Sequence, residues 1–297
     1  MLKSRLCIAF FAFAVGCAPA QKPLTDYVNP MLGTATLWDS VDLGFKPTKR
    51  TWGAEVFPGS SLPNAMVQVS PVTKFHSGAG YQYEDSVIYG FTHTNKGHWN
   101  LCHIPLLPVT GTPTPGDYCS PFSHERESAA PGYYQVFLDR YGVDAQLSST
   151  LRCAFHKYTY PAGAAPAVLA DLQRSNEHVR AWDIRKEGDN VFAGWQQTGE
   201  KMYFYAVANR PVTGIEPVVE GDREVRIVRF GEGDGALELR IGFSFVSEKN
   251  ARENLEAEML GKSFAEVRSE ATATWNDLLG RIRVEGGTER EKGLFYS

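Results

Sequence analysis

From residue 66 to residue 245 the chain alternates between short apolar-rich runs and turn-forming clusters. Leu237-Glu238-Leu239-Arg240-Ile241 places an apolar side chain at every second position, the period that turns one face of a strand to a core and the other to water. Comparable β-prone runs occur at 66–69, 86–91, 133–138, 143–147, 150–160, 191–196, 203–207, 225–230 and 237–245. Between them stand Pro131-Gly132, Glu187-Gly188-Asp189-Asn190, Glu220-Gly221-Asp222 and the glycine-rich 231–235, residue types that suit tight reversals. Short strands so punctuated predict a mainly β fold, an antiparallel sandwich or barrel. Trp182 and Trp195 fall within strand patterns and are expected in the core.

The period changes after Ser247. Phe264, Val267, Ala271, Trp275, Leu278 and Ile282 recur at three- and four-residue steps, one stripe of a helix that should lie against something. Ser263 and Glu266 have the spacing of a capping box, and a weaker helix is predicted over 251–260. Helices therefore fill 247–281. The remainder, 282–297, is charged and ends in Phe295-Tyr296-Ser297, and reads as the start of something longer.

The first twenty residues are of another kind. Lys3 and Arg5 precede a nearly unbroken apolar run from Leu6 to Val15, followed by Gly16-Cys17 and Ala18-Pro19-Ala20. A positive end, a short apolar run and small residues predict an export signal over 1–20, too short to cross a bilayer. Two cleavage readings compete. Ala14-Val15-Gly16-Cys17 is similar to a bacterial lipobox and would leave Cys17 lipidated, whereas Ala18-Pro19-Ala20 would direct cleavage before Gln21. The first is preferred, and with it the periplasm or outer-membrane surface of a Gram-negative bacterium, any membrane contact being through that lipid.

Net charge is −4 with no basic block, which argues against a nucleic-acid partner. Beyond Cys17 the chain holds Cys102, Cys119 and Cys153, an odd number that excludes a disulfide scaffold. The densest chemistry is Thr92-His93-Thr94-Asn95-Lys96-Gly97-His98-Trp99-Asn100-Leu101-Cys102-His103. His and Cys ligate zinc, but the spacing of His93, His98, Cys102 and His103 matches no finger pattern, so no metal site is assigned. Glu84, Asp85, Glu125, Glu127, Glu177 and Asp183 are catalytic candidates by residue type alone. Neighbours such as Glu84 and Asp85 point to opposite faces of a strand and make no working pair.

Tyr27-Val28-Asn29-Pro30-Met31-Leu32-Gly33-Thr34 is similar to the opening of glycoside hydrolase family 92, the bacterial exo-acting α-mannosidases. Further segments agree in order: Phe57-Pro58-Gly59, Met66 to Pro71, Gly80-Tyr81-Gln82-Tyr83, Ile88 to Thr94, Phe122-Ser123-His124, Pro131-Gly132-Tyr133-Tyr134, Phe243 to Ser247, then Trp275-Asn276 and Ile282 to Gly286. The resemblance implies a large antiparallel β-sandwich over 21–246, linker helices over 247–281, and the start of an (α/α)6 catalytic barrel at 282–297. It also implies an inverting, calcium-dependent enzyme acting on mannose-rich glycans, with both catalytic carboxylates and the calcium ligands in the barrel. No catalytic residue is then expected in this chain, and the sandwich pairs with a catalytic domain of the same polypeptide. The 92–103 loop helps frame the sugar subsites in the family, so Trp99 and His93, with Asn95, His98 and Tyr81, are expected to face sugar, Trp99 by stacking on a pyranose. Departures from the family pattern cluster in this loop, at Leu62 to Met66 and between Trp38 and Trp52. The alternative is a free-standing carbohydrate-binding sandwich, against which the helical stripe from Phe264 to Ile282 argues, because such a module has no use for it.

Overall fold

The computed structural model describes residues 22–36, 44–46, 56–96 and 99–297. The export signal, Cys17, His98 and most of the stretch from Trp38 to Trp52 lie outside the described residues. The strands run in chain order β1 (Ser60–Ser61), β2 (Gln68–Val72), β3 (Val87–Ile88), β4 (Gly90–Thr92), β5 (Asn95–Lys96), β6 (Trp99–Asn100), β7 (Leu106–Val109), β8 (Ser120–Pro121), β9 (Glu127–Ala130) and β10 (Tyr133–Leu138). They continue as β11 (Val143–Ser149), β12 (Cys153–Thr159), β13 (Ala167–Ala170), β14 (Ala181–Gly188), β15 (Val191–Gln197), β16 (Lys201–Ala208), β17 (Val212–Glu220), β18 (Arg223–Phe230) and β19 (Leu237–Ser244). Helices α1 (Glu248–Glu258), α2 (Phe264–Leu279) and α3 (Glu289–Tyr296) follow.

Two antiparallel sheets form the sandwich. One has the order β1-β2-β4-β7-β13-β18-β17 and the other β14-β15-β16-β19-β12-β11-β10-β9. Alternation explains which faces meet: β16 buries Met202, Phe204, Ala206 and Ala208, and β19 buries Leu237, Leu239, Ile241 and Phe243. These join Val69, Phe91, Leu106, Val168 and Ile227 of the facing sheet in one apolar core. The predicted run 150–160 becomes a strand only from Cys153, because Leu151 sits in an exposed bend.

The outer face of the eight-stranded sheet is covered as well. Ala251 and Leu255 of α1 lie on β19, where Gly242 leaves room: a Cβ there would stand 2.1 Å from the Ala251 carbonyl oxygen. Phe155 and Tyr133 meet Phe264 edge to face, at 5.2 and 6.3 Å between ring centres. Ser263 caps α2 through the predicted box with Glu266. Helix α1 begins earlier than expected because the Ser247 hydroxyl accepts from the Asn250 amide.

Two expectations are corrected here. The α2 stripe packs on its own sandwich through Phe264, Val267 and Ala271, while Ile282 lies beyond the helix and is 64% exposed. The stripe therefore needs no second domain to cover it and does not argue against a free-standing module. Trp195 is not in the core but half-buried, its indole covered by the Lys201 ammonium 3.5 Å from the ring centre. Trp182 packs partly buried against the core.

Candidate functional site

The ends of β4 and β13, the starts of β7 and β18, and the turn between β15 and β16 gather at one end of the sandwich. There the segments 93–96 and 99–105 are bolted to the opposite sheet by buried polar side chains. His93 Nε2 lies 3.0 Å from His156 Nε2, and His156 Nδ1 lies 2.5 Å from the Tyr158 hydroxyl. Because the His103 carbonyl 3.4 Å from His93 Nδ1 accepts only, Nδ1 carries the proton. His93 Nε2 then accepts from His156 Nε2–H, and His156 Nδ1 accepts from Tyr158. All three groups are neutral and satisfied. Burial pushes the His93 imidazole down to about 3 and His156 well below the usual range.

His103 extends the seam. Its Nε2–H donates to the Thr198 hydroxyl at 2.9 Å, which in turn donates to Glu177 at 2.5 Å, while Nδ1 accepts from Thr94 at 2.8 Å. Burial lowers His103 to about 4 against the pull of Glu177. The Gln196 side chain accepts from the Ile104 amide and donates to the Leu172 and Arg174 carbonyls. Asn100 accepts from the Cys102 amide, and Asn176 donates to the Asn100 carbonyl and accepts from the His76 amide. This network holds His76, Cys102 and Ile104 at positive φ of 60°, 54° and 52°, a conformation that side-chain-bearing residues keep only when their surroundings impose it. A cavity of about 800 Å³ opens beside it, between residues 173–182, His76 and Arg223.

The expected sugar-facing residues separate into groups. His93 is fully buried with its ring against Phe243, and Tyr81 is buried with its hydroxyl on Glu127, so neither is presented to a ligand. This corrects both readings: every polar atom of the two side chains already has a partner inside the sandwich. Asn95 and Trp99 sit on the short hairpin β5–β6 and are partly exposed. His98 lies outside the described residues. Sequence reasoning missed His156, Asn176 and Gln196, whose partners are 63, 76 and 92 residues away along the chain.

The acids do not form a reactive pair. Glu127, whose side chain is buried, accepts from Tyr81, Tyr134 and His124. Glu84 and Asp85 accept from Thr36 and Thr73, Glu177 from Thr198, and Asp183 pairs with Arg185. Among the described residues no group of three or more His, Cys, Asp or Glu stands close enough to hold a metal ion.

Residues 27–254 match the glycosyl hydrolase family 92 N-terminal domain, and residues 250–297 match the glycosyl hydrolase family 92 catalytic domain. The chain belongs to glycosyl hydrolase family 92. It is similar to the family 92 α-mannosidase BT3965 from Bacteroides thetaiotaomicron, with a TM-score of 0.81 and 25% identity over 93% of this chain and 40% of that one. The family 92 inverting mannosidase BT2199 from Bacteroides thetaiotaomicron VPI-5482 matches with a TM-score of 0.78 and 25% identity, over 93% of this chain and 39% of that one. An uncharacterized secreted glycosidase from Arthroderma benhamiae is 24% identical over 314 residues, 88% of this chain and 38% of that protein. The chain thus spans about two fifths of the length of these relatives. Among the described residues no helix is long and apolar enough to cross a membrane.

Proposed function

We propose that this chain is the N-terminal sandwich of an exported, inverting, calcium-dependent exo-α-mannosidase that acts on mannose-rich glycans. The observation that carries the reading is the order of matches along one polypeptide: an N-terminal domain of the family through residue 254, running directly into its catalytic domain from residue 250. In this proposal the sandwich packs on a catalytic barrel and presents a rigid loop end to the sugar, with Trp99 and Asn95 on the hairpin that borders it. The barrel supplies both the general acid and the base that activates water, held about 6.5–9.5 Å apart as inversion requires. The barrel also supplies the calcium ligands. The internally satisfied carboxylates of the sandwich fit a supporting role rather than a chemical one. Export follows from the leader-like residues 1–20, with lipidation at Cys17 the preferred outcome.

The test is hydrolysis of an aryl α-mannoside by the chain alone and by the chain followed by a family 92 catalytic domain. The two-domain protein is expected to release mannose, with the β-anomer appearing first by NMR and activity lost on chelation. The sandwich alone should show no turnover. Turnover by residues 22–297, sensitive to substitution of Glu177 or Asp183, would overturn the assignment of the chemistry to the barrel.

A further inference from the structure

The cavity beside the polar seam has a charge character that the mannosidase reading does not use. Arg174, Arg180 and Arg223 line it, and Glu177 is the one acidic side chain in its wall. Glu177 already accepts from the Thr198 hydroxyl at 2.5 Å. The three guanidinium groups are not equivalent. Arg223 is paired with the buried Asp171 and also donates to the Pro115 carbonyl. Arg174 lies over the rings of Phe75 and Tyr89, at 4.7 and 5.1 Å from their centres, and gives one Nη1 hydrogen to the Tyr118 hydroxyl at 3.2 Å. Packing on two aromatic faces fixes its plane, and the single bond to Tyr118 leaves most of its five donors free for a ligand. Arg180 is exposed and, among the described residues, makes no ion pair; only its backbone amide is engaged, on the Gln197 carbonyl.

Two further features suit a sugar. Trp182 in the wall supplies a rigid aromatic surface. The His76 backbone is held at a positive φ by a 2.6 Å bond from its amide to Asn176, which fixes that residue at the cavity wall. A cavity of about 800 Å³ has room for one or two pyranose rings.

We propose that this cavity binds a saccharide carrying an oxyanion, a phosphate or a carboxylate, through Arg180 and the unengaged donors of Arg174. A planar guanidinium held in place binds either group by paired charge-assisted hydrogen bonds. Mannose as the sugar rests on the mannosidase reading above; the anion requirement does not.

The experiment is calorimetric titration of the whole chain at low salt with mannose, mannose 6-phosphate, glucose 6-phosphate, glucuronic acid and inorganic phosphate. At least one anionic sugar is expected to bind about tenfold or more tightly than mannose, the scale of one charge-assisted pair. Its affinity should fall by a similar factor in Arg180→Gln and on raising the salt, with the thermal midpoint of the variant unchanged because Arg180 is exposed. Whichever of mannose 6-phosphate and glucuronic acid binds identifies the oxyanion. Equal binding of neutral mannose, or an Arg180→Gln variant that binds as well as the parent, overturns the proposal. Inorganic phosphate binding as tightly as the sugar phosphates overturns its saccharide part. Glucose 6-phosphate matching mannose 6-phosphate leaves the anion cavity standing and counts against mannose alone.

Discussion

His93 and His156 meet across the two sheets, both fully buried, where a second proton on either ring would be a charge taken out of water with no carboxylate beside it. With His103 they make three imidazoles kept neutral by burial, His93 at about 3 and His103 at about 4, and His156 well below its usual range. An unfolded chain takes up these protons near pH 6.5, whereas the folded chain does not until much lower pH. The unfolded state therefore binds more protons as the pH falls below that value, and stability must drop with it. The loss is about 1.4 kcal/mol per pH unit per histidine, setting in below roughly pH 6.5 and ending for each group as it reaches its folded value. Urea unfolding followed between pH 7 and pH 5 should show this decline. His156→Gln, which keeps polar atoms in place but cannot titrate, should reduce the slope by about one histidine's share. A slope identical to that of the parent would mean that His156 is already charged in the folded chain. The seam was illegible in the sequence for a simple reason: a histidine at a strand end looks the same whether it faces a ligand or another histidine 63 residues away.

Strands were legible where burial is one-sided. The runs at 133–138, 191–196, 203–207 and 237–245 alternate, and β10, β15, β16 and β19 occupy them within a residue or two. Strands β7 and β13 were passed over because all four residues of each are buried, so no alternation marks them. Strand β17 escaped because Gly214 and Pro217 read as breakers; it survives as the sheet edge, where a missing N–H is tolerated. Helix α2 was legible through its stripe and capping box, but what the stripe covers was not, since an apolar face does not name its partner. The contact between α1 and β19 depends on one residue with no side chain. A Cβ on Gly242 would meet the Ala251 carbonyl oxygen at 2.1 Å and Leu255 Cβ at 2.8 Å, both on a helix that cannot yield locally. Gly242→Val should therefore lift α1 from the sheet and cost about 3 kcal/mol, measurable as a lowered denaturation midpoint. Gly214→Ala, where nothing stands within 4 Å of the new Cβ, is the matched control and should shift stability by well under 1 kcal/mol.

At the scale of the whole molecule the two ends of the described chain are tied together through α2. Trp275 donates its indole N–H to the Ser61 carbonyl at 2.7 Å, joining the helix to β1. Asn276 accepts from the Thr25 amide at 3.0 Å and donates to the Thr25 hydroxyl at 3.2 Å. Helix α3 then closes over the same segment, with the rings of Tyr27 and Tyr296 5.8 Å apart and the Asn29 amide on the Ser297 hydroxyl at 2.8 Å. These contacts join residues more than two hundred positions apart, so they close only after the sandwich between them has formed, and they are the first that a weakened helix should release. Trp275→Ala removes a half-buried ring and leaves the Ser61 carbonyl without its donor, a loss of about 2–3 kcal/mol. Trp275→Phe keeps most of the ring and should lose only the hydrogen bond, about 1 kcal/mol. Tryptic digestion separates this clamp from the rest of the fold: Arg281 and Arg283, exposed just past α2, should be cut faster in Trp275→Ala while sites within the eight-stranded sheet stay protected. If Trp275→Ala matches the parent in both midpoint and digestion rate, α2 is held by Phe264 and Val267 alone and the terminal segments are secured by α3.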